Sequence, residues 1–238
     1  MKTILHKSDT RGYANHGWLK SYHSFSFASY HNEKRMNFGA LRVLNDDVVQ
    51  PKMGFGTHPH QNMEIISIPL KGALSHKDSM GNKRAIEVGE IQAMSAGTGI
   101  THSEFNDSKT DAVNFLQLWI IPEQNNVAPN YEQRAFAPEG KHNKLQTVVA
   151  PNDKLVGDAL PIHQQAYMYR SYLEQDKSIT VKLKSKTNGL YIFVVEGAVE
   201  VEANQLEARD AMGVYDTENV EIKAINNAEL IIVEVPMD

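Results

Sequence analysis

The sequence contains no cysteine among its 238 residues, which excludes disulfides and thiolate metal ligands and fits a reducing compartment. It has no apolar run of about 18 residues, the length that a transmembrane helix needs. Its first residues, MKTILHKSDTRGY, lack the apolar stretch and small-residue cleavage site of a signal peptide. We therefore expect a cytoplasmic protein that does not associate with membranes.

Clusters of basic residues are also missing. The chain has 24 Lys and Arg against 29 Asp and Glu, a net charge of −5, so we expect no direct binding to nucleic acid. With 41% hydrophobic and 22% charged residues, the composition is typical of a globular protein with a substantial apolar core. The length suits one large domain or two of roughly 100–120 residues.

The pattern of apolar residues favours strands over helices. No segment of the first half keeps a period of 3.6 residues, whereas short apolar or alternating runs recur between Gly and Asn turn signals. The clearest runs are residues 65–70 and residues 113–121, VNFLQLWII. Many short strands in close succession indicate an all-β barrel or sandwich.

A change of composition divides the chain. Residues 122–140 contain three prolines and little apolar periodicity, which is typical of a connection between domains. A strand–Gly–strand phrase occurs before the break, IISIPLKGALSH, and again after it, YIFVVEGAVEVE, which indicates a duplicated unit with a glycine hairpin in each copy. We predict an N-terminal metal-binding domain over 1–125, a linker over 126–143 and a degenerate C-terminal domain over 144–238.

Two short motifs in the first half have the spacing of metal ligands. His58 and His60 are separated by one residue, and so are His102 and Glu104. In a strand, side chains two residues apart leave the same face about 6.6 Å apart. Two such strands can direct three imidazoles and a carboxylate at one divalent transition metal, and Fe, Ni, Co, Mn, Cu and Zn all accept these ligands.

Glu64 competes with Glu104 as the acidic ligand. In a regular strand Glu64 would lie roughly 13 Å beyond His60, whereas Glu104 lies only two residues after His102. We therefore favour Glu104 as the ligand and keep Glu64 as a supporting or structural carboxylate. Asn106 either lies near the site or caps a turn.

Other residues are weighed against simpler roles. His76 is interpreted as a surface or strand-edge residue, His23 and His31 as structural residues near the mouth of the barrel, and His163 as unrelated to a metal. Four apolar residues are candidates to line a pocket beside the ion, with core packing as the alternative and the favoured role for Trp119. These are Met53, Phe55, Phe115 and Trp119.

The motifs GFGTHPHQNMEII, GALSHKDSMGN, GEIQAMSAGTGITHSE and FLQLWI closely resemble the pirin family of the cupin superfamily, most strongly over residues 39–121. The resemblance implies a bicupin, two antiparallel, jelly-roll-like β-barrels packed face to face, with metal only in the N-terminal one. It places the ligands on His58, His60, His102 and Glu104 and favours Fe(II). One departure is Arg209, which stands where the second unit would have a glycine.

The resemblance also implies an activity. Bacterial pirin-like proteins are described as quercetin 2,3-dioxygenases, which open the flavonol's heterocyclic ring with O₂ and release carbon monoxide. A small aromatic, flavonol-like substrate and O₂ are then the expected partners, with Glu104 as the base that removes the substrate's hydroxyl proton. The alternative is a metal- or redox-sensing regulatory protein that acts through a protein partner. We expect a monomer, because the two barrels already pair within one chain.

Overall fold

The structure is a computed structural model that describes residues 1–237, and almost every element in it is a β-strand. Two short 3₁₀ turns interrupt the strands, at Ser8–Thr10 and Pro138–Gly140. The strands up to the middle of the chain are β1 (Lys2–His6), β2 (Gly12–Asn15), β3 (Leu19–His23), β4 (Leu41–Val49), β5 (Gly54–His60), β6 (Glu64–Lys71), β7 (Ala73–Asp78), β8 (Lys83–Glu87), β9 (Glu90–Ser95), β10 (Ile100–Phe105), β11 (Val113–Ile120) and β12 (Asn130–Ala135).

The remaining strands are β13 (Gln146–Pro151), β14 (Leu160–Ile162), β15 (Tyr167–Leu173), β16 (Ser178–Lys182), β17 (Asn188–Glu196), β18 (Ala198–Val201), β19 (Asn204–Glu207), β20 (Ala211–Tyr215), β21 (Asn219–Ala224) and β22 (Ala228–Pro236). Within residues 1–237 no helix is long and apolar enough to span a bilayer.

Each half of the chain forms a large and a small sheet that face each other. The N-terminal pair is a seven-stranded sheet, β12-β9-β6-β11-β4-β3-β2, and a four-stranded sheet, β5-β10-β7-β8. The C-terminal pair has the same sizes, with orders β1-β20-β17-β22-β15-β13-β14 and β16-β21-β18-β19. The prediction of a duplicated all-β fold is confirmed; each unit is an open sandwich of two sheets instead of a closed barrel.

The two large sheets pack face to face through one continuous apolar layer, as predicted. The N-terminal half contributes residues such as Ile66 and Leu118, and the C-terminal half contributes residues such as Phe193 and Val233. A second apolar cluster fills the space between the two C-terminal sheets. In the N-terminal sandwich the apolar residues form only two smaller clusters, which leaves part of its interior to polar side chains.

The repeated strand–Gly–strand phrases correspond to β6–β7 and β17–β18, but they are corners and not hairpins. In each copy the first strand belongs to the large sheet and the second to the small sheet. Gly72 and Gly197 sit at these corners with φ of +76° and +81°, a conformation that glycine adopts without strain. A hairpin would have kept both strands in one sheet, so the glycine marks a change of sheet instead.

Two segments cross the predicted domain division. β1, from the start of the chain, pairs with β20 of the C-terminal sheet. Residues 126–143, expected to be a linker, contain β12, which pairs with β9 at the edge of the N-terminal sheet. The prolines and polar residues of this segment are compatible with an edge strand, where unpaired backbone groups face solvent. The boundaries at 125 and 143 stay a prediction.

Glu64 is a buried carboxyl at the start of β6. It is 1% exposed, and its Oε2 accepts a hydrogen bond of 2.6 Å from the Ser95 hydroxyl, while its Oε1 has no partner within residues 1–237. Burial raises the pKa of Glu64 to about 7, and the hydrogen bond from Ser95 offsets only part of that rise. Above neutral pH the folded protein therefore holds an unfavourable buried charge.

We predict that Glu64→Gln stabilises the protein more at pH 8 than at pH 4.5. The pKa of Glu64 in the folded state lies above its ordinary value of 4.5, so the wild type loses stability as the pH rises towards and through about 7, whereas the glutamine variant does not. The gain at pH 8 should reach up to roughly 3 kcal/mol in urea unfolding. Glu139→Gln, at an exposed glutamate, is the control, and an equal effect of Glu64→Gln at both pH values would contradict the prediction.

Candidate metal centre

Three of the four predicted site residues meet at the pairing of β5 with β10. His102 lies directly opposite His58, and Ile100 opposite His60, so both strands present imidazoles to one side. The Nε2 atom of His102 is 3.0 Å from the Nε2 atoms of both His58 and His60. One ring nitrogen of each histidine lies within 4.8 Å of those of the other two.

These contacts fit a shared metal ion. Two nitrogens bound at about 2.1 Å, at a right angle, are separated by about 3.0 Å, the spacing found on both sides of His102. Burial, with a smaller contribution from the neighbouring imidazoles, lowers the pKa of His60 to about 4 and that of His102 to about 3. Both rings are therefore neutral at physiological pH, which is the protonation state that binds a metal.

The other ring nitrogens are held by neighbouring groups. His58 Nδ1 lies 2.7 Å from the carbonyl oxygen of Gly56, to which it can donate, leaving Nε2 free. His102 Nδ1 lies 3.4 Å from His76 Nδ1, and His76 Nε2 lies 3.1 Å from Asp78 Oδ2. This series of contacts continues the centre inward, from His102 through His76 to a carboxylate.

The interpretation of His76 as a surface or strand-edge residue is wrong. His76 is 1% exposed, because β7 lies between β8 and β10 in the small sheet and the ring of Tyr131 covers it, with centroids 4.7 Å apart. The SHKDS motif alone gave no sign of this burial, since Ser, Lys and Asp are usually exposed. The residue supports His102 from behind.

Glu104 reaches the same region from β10 and is 2% exposed. The Gln117 amide donates to both of its oxygens, at 3.1 and 2.9 Å, and the Ser67 hydroxyl lies 3.4 Å from Oε1. The register of β10 against β5 shifts between His102 and Glu104, so the two residues do not continue one regular ladder. Glu104 forms a second close group with His102 and His76, and this group shares His102 with the three-histidine group.

The direction of the Glu64 side chain argues against Glu64 as the acidic ligand. Glu64 lies on β6 one register step from Ile65, which packs inside the N-terminal sandwich, so its own side chain leaves the opposite face. Asn106 has the turn-capping role: its Nδ2 donates to the carbonyls of Val49 and Asp111, and its Oδ1 accepts from the backbone of Ser108.

A cavity of about 580 Å³ opens beside the histidines. Its walls combine aromatic and polar side chains, including Trp18, His23, Phe27, Asn45, Asp47, Phe55, His58, His60, Glu104, Gln117 and Trp119. A cavity of this size, in which aromatic walls meet convergent polar side chains, is a candidate site for a small organic ligand.

Two of the four apolar pocket candidates line this cavity. Phe55 does so as predicted, and Trp119 does so although core packing was favoured for it; its ring lies 5.0 Å from that of His60. Phe115 is fully buried in an apolar cluster, and Met53 is 41% exposed at the surface.

Three histidines that were not predicted to be metal ligands have different surroundings. His23 is 3% exposed and lines the cavity, whereas His31 is exposed. His163 lies in a separate polar cleft of the C-terminal half.

Sequence reasoning missed Gln117, Ser67 and Asp47. Gln117 and Ser67 interrupt apolar runs, and this irregularity was the available signal; Asp47 lies in the polar stretch NDD of β4. Asp47 is 3% exposed and accepts a hydrogen bond from the Ser21 hydroxyl. Burial raises the pKa of Asp47 to about 7 despite that hydrogen bond.

The chain is similar to known proteins over nearly its whole length. The family model "Pirin" matches residues 5–120, and "Quercetinase C-terminal cupin domain" matches residues 147–235. The chain is 42% identical to a quercetin 2,3-dioxygenase of Escherichia coli (strain K12) over 233 residues, 98% of each chain. It is 40% identical to a pirin-like protein of Caulobacter vibrioides, over 95% of this chain and 96% of that one.

Two solved structures superpose on the chain over nearly its whole length. The crystal structure of YhhW from Escherichia coli superposes with a TM-score of 0.94 at 40% identity, over 100% of this chain and 99% of that one. A structure of the bacterial pirin YhhW in complex with nickel(II) superposes with a TM-score of 0.93 at 40% identity, over 100% of both chains.

We predict that His60 and His102 of the metal-free protein stay neutral down to about pH 5, because burial disfavours their charged forms. Their ring-proton NMR signals, assigned by loss in His60→Gln and His102→Gln, should move only near pH 4 and pH 3. Titration of either signal near pH 6.5 would show that the cluster is open to solvent and would contradict the prediction.

Proposed function

Since the chain belongs to the pirin family of the cupin superfamily, we propose that it is a metal-dependent dioxygenase that opens the heterocyclic ring of flavonols. The observation that carries the proposal is the meeting of three imidazoles at the wall of a cavity that four Phe and Trp rings also line. A relative 42% identical over nearly the whole chain is named quercetin 2,3-dioxygenase, which supports the substrate class.

In this proposal His58, His60, His102 and Glu104 hold one divalent metal. Three histidines and a carboxylate suit most first-row ions. The family resemblance favours Fe(II), while the similar Escherichia coli pirin structure contains nickel(II). The bound ion would supply Lewis acidity, which lowers the pKa of a coordinated substrate hydroxyl.

The protein's own residues then orient the substrate and accept its proton. The rings of Trp18 and Phe55, 5.3 Å apart, and of Phe27 and Trp119, 5.4 Å apart, give the cavity aromatic walls suited to a flat ring system. We assign Glu104 as the base for the flavonol hydroxyl proton. Gln117 keeps the Glu104 carboxylate in place by donating to both oxygens.

The cavity beside the histidines also favours this function over a regulatory one. A sensor that acts through a protein partner needs a responsive surface, whereas these side chains surround a volume suited to a small molecule. The regulatory alternative and its protein partner stay a prediction from the sequence.

We predict that Fe(II)-loaded wild type consumes quercetin with O₂ and releases carbon monoxide, whereas His60→Ala does not. Loss of one of three imidazoles removes a ligand from the centre, so the decay of the flavonol absorbance band should slow by at least about a hundredfold. His163→Ala, whose side chain lies outside the centre, is the matched control and should retain wild-type turnover. Metal binding by the wild type without turnover would contradict the dioxygenase proposal.

We predict that His76→Gln weakens metal binding by about 10- to 100-fold, because the imidazole that orients His102 is lost while all proposed ligands remain. Competition with a chromophoric chelator would measure the affinity, and circular dichroism would report the fold. His142→Gln, at a half-exposed histidine of the C-terminal half, is the control. Unchanged affinity in His76→Gln would show that His102 needs no support from β7.

A further inference from the structure

A row of four polar side chains crosses the large N-terminal sheet on the side of the cavity. Residues directly opposite each other in an antiparallel sheet point to the same face. The row passes through β6, β11, β4 and β3, in the order Ser67, Gln117, Asn45 and His23. Ser67 and Gln117 hold Glu104, and His23 lies two strand spacings beyond Gln117, about 10 Å away.

The two members of the row farthest from Glu104 keep unused hydrogen-bonding groups. Asn45 and His23 are 2% and 3% exposed and line the cavity, yet Asn45 Oδ1 and His23 Nδ1 have no hydrogen-bond partner in residues 1–237. Buried polar atoms of folded proteins are rarely left unpaired, since their lost hydration is then not replaced. This part of the wall therefore suits a polar group supplied by a ligand.

The neighbouring hydrogen bonds indicate which ring nitrogen of His23 carries the proton. The single proton of the Ser21 hydroxyl is donated to Asp47. With Asp47 ionised, this donation leaves Ser21 Oγ as an acceptor, and His23 Nε2, 2.7 Å away, is the protonated nitrogen that donates to it. Because burial lowers the pKa of His23 to about 4, the ring is neutral and its Nδ1 is an acceptor. His23 Nδ1 can therefore accept a hydrogen bond from a hydroxyl group of a ligand.

Asn45 can offer either a hydrogen-bond donor or an acceptor on the same wall of the cavity. Turning its amide about the terminal bond exchanges the oxygen and the nitrogen, so Asn45 can offer a donor or an acceptor. A hydroxyl group, which both donates and accepts, can satisfy an imidazole nitrogen and an amide at once. Phe27, whose ring lies 5.3 Å from that of His23, leaves an aromatic surface beside these polar groups.

We propose that Ser21, His23, Asn45 and Asp47 form a second polar subsite, which binds a hydroxyl group on the substrate ring remote from the histidine cluster. The subsite selects polyhydroxylated flat aromatics over parents that carry only the metal-directed hydroxyl. This inference rests on the proposed function, because it assumes that an aromatic hydroxy compound occupies the cavity. Asn45 and His23 act here as specificity-determining residues, not as catalytic ones.

The test compares quercetin, which has hydroxyls on both outer ring systems, with 3-hydroxyflavone, which has none there. Zn(II)-loaded protein is titrated under nitrogen, because zinc has no redox chemistry and turnover is then prevented. Both tryptophans of the chain, Trp18 and Trp119, line the cavity, so quenching of their fluorescence reports binding directly. The variants are Asn45→Leu and Asp47→Asn, with Asn219→Leu at an exposed asparagine as the control.

Wild type and Asn219→Leu are expected to bind quercetin at least about tenfold more tightly than 3-hydroxyflavone, and Asn45→Leu should lose most of that preference. Asn45→Leu should keep the melting temperature of the wild type, because the Asn45 Oδ1 that it removes has no partner. A lower melting temperature together with weaker binding of both ligands would show a structural role and overturn the proposal.

Equal affinities of the wild type for the two flavonols, or a preference that survives in both variants, would also overturn the subsite. The dioxygenase proposal is tested separately by turnover of 3-hydroxyflavone in the Fe(II)-loaded wild type, which does not need the subsite. Turnover of 3-hydroxyflavone without a preference for quercetin would therefore refute the subsite alone, and failure of both flavonols to bind would refute both proposals.

Discussion

The apolar layer between the two large sheets is the contact on which the candidate site depends. A sandwich with polar groups and a cavity inside buries less apolar area of its own than a filled one, and burial of apolar area is the main favourable contribution to folding. Residues such as Ile66 and Leu118 face this layer from β6 and β11, while Ser67 and Gln117 on the same strands face Glu104 in the interior of the N-terminal sandwich. The alternation of side chains along a strand allows one sheet to serve both purposes.

The C-terminal sandwich has the filled apolar interior that the N-terminal sandwich lacks. Its interior is filled by a continuous apolar cluster, from Leu173 on β15 to Ile222 on β21, and its large sheet closes the apolar layer from the other side. Arg209 illustrates its divergence: it has a φ of +70°, where glycine would be unstrained, and its guanidinium lies 3.3 Å from Asp46 of the other half. The second unit thus acts as a scaffold for the first.

Burial determines the protonation states of the centre and requires its polar groups to be paired. It lowers the pKa of His60 and His102, so that the metal-binding form is present at neutral pH, and it raises the pKa of Asp47. The polar groups nearest the centre are paired with one another, as Gln117 is with Glu104. Unpaired polar atoms occur farther along the same wall, at Asn45 and His23, where the cavity receives its ligand in our proposal.

The sequence by itself determined the all-β fold, the duplication and the three histidines, because strand alternation and HxH spacing are local properties of the chain. Only the tertiary structure decided which polar residues join the site. Ser67, His76 and Gln117 lie on strands that are distant in sequence from one another or from His102, and sheet order alone brings them together. The tertiary structure also decided that Glu64 points away from the interior of the N-terminal sandwich. Its neighbour Ile65 points into that interior, and side chains one residue apart on a strand point to opposite sides.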